Sequence, residues 1–177
     1  MMSNSDGRTL WLQTGQTLLR RGGASSVKLH SLTAELGLTT GSFYHHFANM
    51  TDYLEQLASF YGAEQARAVL DSIKHGNPRE RLRGLAAVAR RDDMTTLDAA
   101  MRDWSGSNPV AAESVRQADQ LLLRFVESAF MELGFDRREA QARAILLYST
   151  GVARVSPPWK QSPKMLDAVL EALAPTG

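Results

Sequence analysis

The sequence predicts an all-α protein of about nine helices. Apolar residues recur at intervals of three and four along almost the whole chain, which is the spacing of an amphipathic helix. Val, Ile and Thr are nowhere gathered into the alternating runs typical of strands. Gly and Pro interrupt the apolar stripes at the points where helices would end. The expected helices cover roughly residues 8–21, 29–36, 40–47, 49–75, 82–89, 94–104, 109–133, 137–155 and 163–174.

The boundaries of the first helices have identifiable causes. Gly22-Gly23 ends the first helix, and Gly37 ends the second, because glycine readily takes the left-handed conformation that follows a helix. The second helix lacks a clear start, since Lys28 stands where a capping residue is expected. Either Thr39 or Thr40 can cap the third helix.

The later boundaries carry stronger capping signals. Asn49 is a good cap for a long fourth helix that extends to Gly76-Asn77-Pro78. Asn108-Pro109 is a cap followed by a first-turn proline. Asp136 and Glu139 have the spacing of a capping box. Pro157-Pro158 separates the last two helices.

Length and composition indicate an ordinary globular chain. Its 177 residues suggest one domain or two small ones, and 44% are hydrophobic and 22% charged. The absence of cysteine excludes disulfide frameworks, thiolate catalysis and cysteine-based metal centres. No apolar run approaches the ~20 residues of a membrane span, and the first residues lack a signal-peptide pattern. We therefore expect a soluble, cytoplasmic protein without a membrane partner.

The most informative stretch is residues 27–50, VKLHSLTAELGLTTGSFYHHFANM. Two short helices joined through Gly37 form the pattern of a helix-turn-helix. Phe43 and Phe47 are four residues apart, so they share the buried face of the second of these helices. Its outward residues would be Thr40, Gly41, Ser42, Tyr44, His45 and His46. Short hydroxyl donors at a helix N-terminus, a tyrosine and two imidazoles suit contacts with DNA phosphates and base edges.

The segment LTAELGLTTGSFYHHFANMTDYLEQL resembles the DNA-binding region of the tetracycline-repressor (TetR) family of transcriptional regulators. The shared features are Gly-Leu, a small-residue tract and an aromatic-Tyr-x-His-Phe run, and the resemblance covers about residues 8–60. It implies that Thr40, Gly41, Tyr44 and His45 face base edges or sugars. It further implies that Ser42 and His46 contact phosphate, and that Lys28 and His30 lie near the DNA.

Two departures from the family pattern stand in this segment. Met50 replaces the usual lysine that contacts a backbone phosphate, and Thr40 stands where relatives often carry a basic residue. Residues 1–60 also hold equal numbers of basic and acidic side chains. We therefore expect the electrostatic share of DNA affinity to be small for this family.

The resemblance further implies two domains. Residues 1–48 would bind DNA, and residues 49–177 would form a helical regulatory domain, with 49–75 as the connecting helix. In the family a small effector shifts this helix and changes the spacing of the two DNA-reading heads. A cluster of aromatic and Met side chains is either ordinary core or, as the family's apolar effector cavity implies, the candidate effector pocket: Met94, Met101, Trp104, Phe125 and Tyr148. The last two helices would form the dimer interface through Leu147, Gly151, Val152, Leu166 and Leu170.

The predicted function is a homodimeric repressor that binds a palindromic double-stranded operator and is released by an unidentified small molecule. The alternative is a helical module that keeps the fold but acts through ligand or protein partners, with weak or no DNA binding. An enzyme is not expected, because the chain lacks nucleophile-elbow, phosphate-loop and zinc-protease motifs. No cofactor is expected. His45 and His46 do not suit a metal, since adjacent helical residues diverge by about 100°.

Overall fold

The computed structural model describes residues 4–152 and 163–175, and in these ranges the chain is helical without a strand. The predicted all-α class is confirmed. The described part contains ten α-helices: α1 (Asn4–Gly22), α2 (Leu29–Leu36), α3 (Thr40–His46), α4 (Met50–Tyr61), α5 (Ala63–Ser72), α6 (Pro78–Arg91), α7 (Met94–Ser105), α8 (Pro109–Glu132), α9 (Arg137–Val152) and α10 (Pro163–Leu173). A single 3-10 turn, Ala24–Ser26, follows α1.

The predicted caps form the expected hydrogen bonds. The side chain of Asn49 accepts from the Asp52 amide at 3.0 Å, and that of Asn108 accepts from the Ala111 amide at 2.9 Å. Asp136 accepts from the Glu139 amide at 2.9 Å. Each bond satisfies a backbone amide that has no partner within its own helix.

The prediction of one continuous helix over residues 49–75 is wrong in one respect, because the helix is interrupted at Gly62. Gly62 leaves the helical conformation with φ −67° and ψ −138°. A Cβ atom at this position would lie 3.4 Å from the Gln117 side chain and 3.5 Å from the Ser114 Cα. The close approach of α8 therefore coincides with the residue that separates α4 from α5.

The chain forms two compact units. The first contains the described residues up to 64 together with 96–117, and the second contains 65–95 together with those from 118 onward. The first unit thus includes most of α7 and the beginning of α8 in addition to α1–α4. The predicted domain boundary after residue 48 does not coincide with this grouping and stays a prediction.

Each unit has its own core. The first is built around large aromatic side chains of α1, α3 and α4, which are fully buried. The second packs α6, α8, α9 and α10 around Leu82, Val126, Phe130, Ala140 and Leu170. Its α10 is held at the C-terminal end by Arg143, whose Nε donates to the Leu173 carbonyl at 2.8 Å. A guanidinium there complements the negative end of the helix dipole.

Candidate nucleic-acid interface

The helix α3 has one buried and one exposed face, as the sequence predicts. Phe43 is 0% exposed and Phe47 is buried beside it, whereas Tyr44 is 55% exposed. Of the other predicted contact residues, Thr40, Gly41 and His45 are exposed, and Ser42 and His46 are half-buried. The seven-residue helix therefore exposes polar side chains on the side opposite Phe43, and Phe47 follows directly after its last residue.

An aromatic cluster holds α3 in place. The Phe43 ring centroid lies 5.4 Å from that of Trp11 in α1, 5.2 Å from that of Phe47 and 5.4 Å from that of Tyr53 in α4. Phe47 and Tyr53 meet edge to face at 4.9 Å. Such contacts add to the free energy gained by burying the rings, so the outward residues stand on a rigid base.

The N-terminal end of α3 is fixed by its turn. Gly37 adopts the left-handed conformation at φ 64°, which the sequence predicts for the residue after α2. Thr39 extends the chain and caps α3, its hydroxyl accepting from the Ser42 amide at 3.3 Å. Of the two predicted cap residues, Thr39 is the one used, which leaves the Thr40 side chain free to face outward.

The two histidines of α3 differ in their surroundings, because His45 is exposed and His46 is half-buried. His46 packs against Gly7 of α1, where a Cβ atom would lie 2.9 Å from its Nε2. Burial, with help from the nearby charges of His45 and Arg8, lowers the pKa of His46. The His46 ring is therefore neutral at neutral pH and offers one N–H as a donor.

No metal site accompanies these histidines. In the ranges 4–152 and 163–175, no group of three or more His, Asp or Glu side chains could hold a metal ion. Likewise, none of the helices in these ranges has the length and apolar content to span a bilayer.

Lys28 and His30 lie at the start of α2. Lys28 is exposed and extended at the N-cap position, and its side chain makes no capping hydrogen bond. His30 is exposed in the first turn of α2. Both side chains are accessible to a ligand, and their part in DNA binding stays a prediction.

Gly15 and the role of Tyr53 were not predicted from the sequence. Gly15 lies in the middle of α1, and a Cβ atom there would be 2.1 Å from the Tyr53 hydroxyl oxygen. That hydroxyl donates to the Trp11 carbonyl at 2.9 Å, and burial raises the pKa of Tyr53 well above its usual value. A glycine in the interior of an amphipathic helix was the available signal, since it often has a packing reason.

The predicted effector-pocket residues fall into different compact units. Met101 and Trp104 belong to the first unit and are buried there. Phe125 packs against the core of the second unit, with the Arg81 guanidinium 5.9 Å from its ring centroid. Tyr148 donates to Asp119 at 2.7 Å, and Met94 is half-buried. The effector pocket therefore stays a prediction.

The predicted dimer residues need one correction. Leu170 is only 1% exposed and lies in the core of its own chain, so its side chain has no surface to offer a partner. Leu147 is half-buried and Gly151 is exposed. The side chains of Val152 and Leu166 lie outside the described residues.

Several solved structures share this architecture. A transcriptional regulator from Rhodococcus sp. Rha1 superposes with a TM-score of 0.73 at 17% identity, covering 94% of this chain and 93% of the other. A TetR-family transcriptional regulator from Agrobacterium tumefaciens gives 0.72 at 19% identity, covering 97% of each. The chain has the TetR fold.

A TetR transcriptional regulator from Legionella pneumophila gives a TM-score of 0.70 at 14% identity and covers 98% of this chain and 96% of the other. No protein-family model and no curated protein matches the sequence. The TetR fold is thus shown over almost the whole chain, at sequence identities that carry no information about effector or operator.

Proposed function

We propose that this protein is a TetR-family transcriptional regulator that binds a specific double-stranded DNA sequence through α3. The observation that carries the proposal is which residues of α3 are exposed and which are buried. The polar side of α3 exposes Thr40, Gly41, Tyr44 and His45. The other side of the helix packs into an aromatic core. A rigid helix with donors on one face is what reading base edges in a major groove requires.

The backbone at the start of α3 supports phosphate binding. The first turn of a helix points amide N–H groups outward, and Ser42 adds a hydroxyl there. His46 adds one ring N–H. In this proposal Ser42 and His46 contact phosphate, whereas Lys28 and His30 approach the DNA from the start of α2.

The protein acts as a homodimer in this proposal, because one short helix reads too few base pairs. Two heads on a palindrome add their binding free energies. The exposed surface of α9 supports such an assembly: Ile145 and Leu146 are each 57% exposed, and Gly151 leaves room for close approach of a second helix. Adjacent exposed aliphatic residues of this kind are typical of a protein interface.

The regulatory part of the proposal is that a small molecule releases a repressor from its operator. It follows from the family resemblance and from the large share of the chain outside the helix-turn-helix. The side chains that would bind the effector stay those predicted from the sequence.

A second candidate function is a helical ligand- or protein-binding module without useful DNA affinity. It is favoured by Met50 at the start of α4 and by the balance of four basic and four acidic residues in positions 1–60. A gel-shift experiment with DNA flanking the gene, repeated over a range of salt concentrations, separates the two. Retarded complexes that weaken as salt rises support the regulator, and a protein that retards no DNA at low salt supports the module.

A further inference from the structure

Three helices of the first unit meet at Gly7 and Arg8 of α1. Gly7 lies beside the His46 ring at the end of α3, where a Cβ atom would come within 2.9 Å of the ring Nε2. Arg8, one residue on, donates from its guanidinium to the side-chain oxygen of Gln56 in α4. The first turns of α1 thus touch both helices that flank the α3–α4 connection.

A chain of hydrogen bonds runs from Arg8 to this connection. Gln56 Nε2 donates to Asp52 Oδ1 at 2.6 Å, one turn earlier in α4. Asp52 Oδ2 accepts from the Ala48 amide at 2.8 Å. Because α3 ends at His46 and α4 begins at Met50, Ala48 is the middle residue of the connection.

Gln56 links Arg8 to Asp52. Its amide oxygen accepts from a guanidinium and its amide nitrogen donates to a carboxylate, so it joins two helices with one side chain. Asp52 is held by the Ala48 amide, by Gln56 and by the nearby charge of Arg8, and these together lower its pKa. The carboxylate is therefore ionised at neutral pH and accepts both bonds at once.

We propose that Gln56 is a positioning residue for DNA recognition, which sets the angle of α3 by tying Arg8 to the carboxylate that holds the Ala48 amide. This inference rests on the proposed DNA-binding function. Gln56 itself is not proposed to contact DNA. It acts through Asp52, and the Ala48 amide reports its effect.

The decisive variant is Gln56→Met, which keeps the length of the side chain and removes both hydrogen bonds. The matched control is Gln13→Met, the same chemical change at an exposed position of α1. The probes are a duplex enriched from a random library by the full-length wild-type protein and a scrambled duplex of equal composition. Affinity for both, thermal midpoint, and the NMR shift and hydrogen exchange of the Ala48 amide are measured.

We expect Gln56→Met to weaken binding of the enriched duplex about tenfold, the size of one or two lost hydrogen bonds, with affinity for the scrambled duplex unchanged. The Ala48 amide should shift and exchange faster, and Gln13→Met should change none of these. Asp52→Asn should act in the same direction, because an amide has one oxygen where the carboxylate has two.

The inference is overturned if Gln56→Met alters the Ala48 amide but leaves affinity for the enriched duplex unchanged. It is also overturned if both duplexes lose affinity equally while the thermal midpoint falls, since that pattern describes a purely structural residue. If the wild-type protein enriches no duplex, the proposed DNA-binding function itself is overturned. The Ala48 amide signals of the Gln56 variant do not depend on DNA, so they do not test that function.

Discussion

At the scale of single residues, Phe43 and Tyr44 are neighbours with opposite environments. Tyr44 is half exposed, so Tyr44→Ala should weaken binding to the enriched DNA by about 1–3 kcal/mol while leaving the fold intact. Phe43 contacts the Trp11, Phe47 and Tyr53 rings, so Phe43→Ala should lower the free energy of unfolding by about 3–5 kcal/mol. Denaturant unfolding and fluorescence anisotropy separate the two effects. Equal loss of stability in both variants would show that the facing of α3 is misassigned.

Met50 provides a second test at this scale. It is the first residue of α4 and half-buried, and the family resemblance implies a phosphate-binding lysine at this position. Met50→Lys should raise affinity for all DNA sequences and steepen the dependence of log affinity on log salt by about one to two units per dimer. The check is a titration at several salt concentrations. An unchanged slope would mean that α4 does not begin against the DNA backbone.

At the scale of helices, the α3–α4 connection should respond to acid through Asp52. The folded protein lowers the pKa of this carboxyl from its ordinary value of 3.8. A lowered pKa stabilises the fold above the ordinary value, and this contribution is lost as the pH falls through the lower folded value. Asp52→Asn should therefore reduce the thermal midpoint at neutral pH, and the difference from wild type should shrink below about pH 4. A difference that is constant with pH would exclude the ionised carboxylate as its cause.

Local sequence signals predicted most helix boundaries but not the break at Gly62. The capping side chains of Asn49, Asn108 and Asp136 each accept from a backbone amide three residues later in the chain. Their hydrogen bonds therefore follow from local sequence spacing alone. A glycine within a helix costs only about 1 kcal/mol, which does not by itself end a helical stripe. The interruption coincides with the approach of Ser114 and Gln117 from α8. Because these residues are distant from Gly62 in the chain, their contact with it produces no periodic pattern in the sequence.

The same distinction applies to the candidate site. The facing of α3 follows from the four-residue spacing of Phe43 and Phe47. The bond between Arg8 and Gln56 joins residues 48 positions apart, and no local pattern indicates it. Leu170 shows the converse error, because an apolar stripe on α10 does not reveal whether it packs on its own chain or on a partner.

At the scale of the whole molecule, Gly151 tests the proposed dimer. It is exposed, and within the described ranges no atom outside its own stretch of helix lies within 4 Å of the position that a Cβ atom would occupy. Gly151→Arg should therefore fold normally as a single chain but place an unpaired charge in an interface between two α9 helices. We expect a monomer in sedimentation experiments, unchanged helicity by circular dichroism and loss of operator binding. A variant that stays dimeric and binds DNA normally would place the two-fold axis elsewhere.

The most direct test of the central proposal is the enrichment of duplexes from a random DNA library by the full-length protein, with Tyr44→Ala as the paired variant. We expect the wild-type protein to enrich a palindromic sequence whose half-sites lie about one or more helical turns apart. Tyr44→Ala should enrich it weakly or with relaxed preference at one position of each half-site. A wild-type pool that remains indistinguishable from the input library at low salt would contradict DNA recognition by α3.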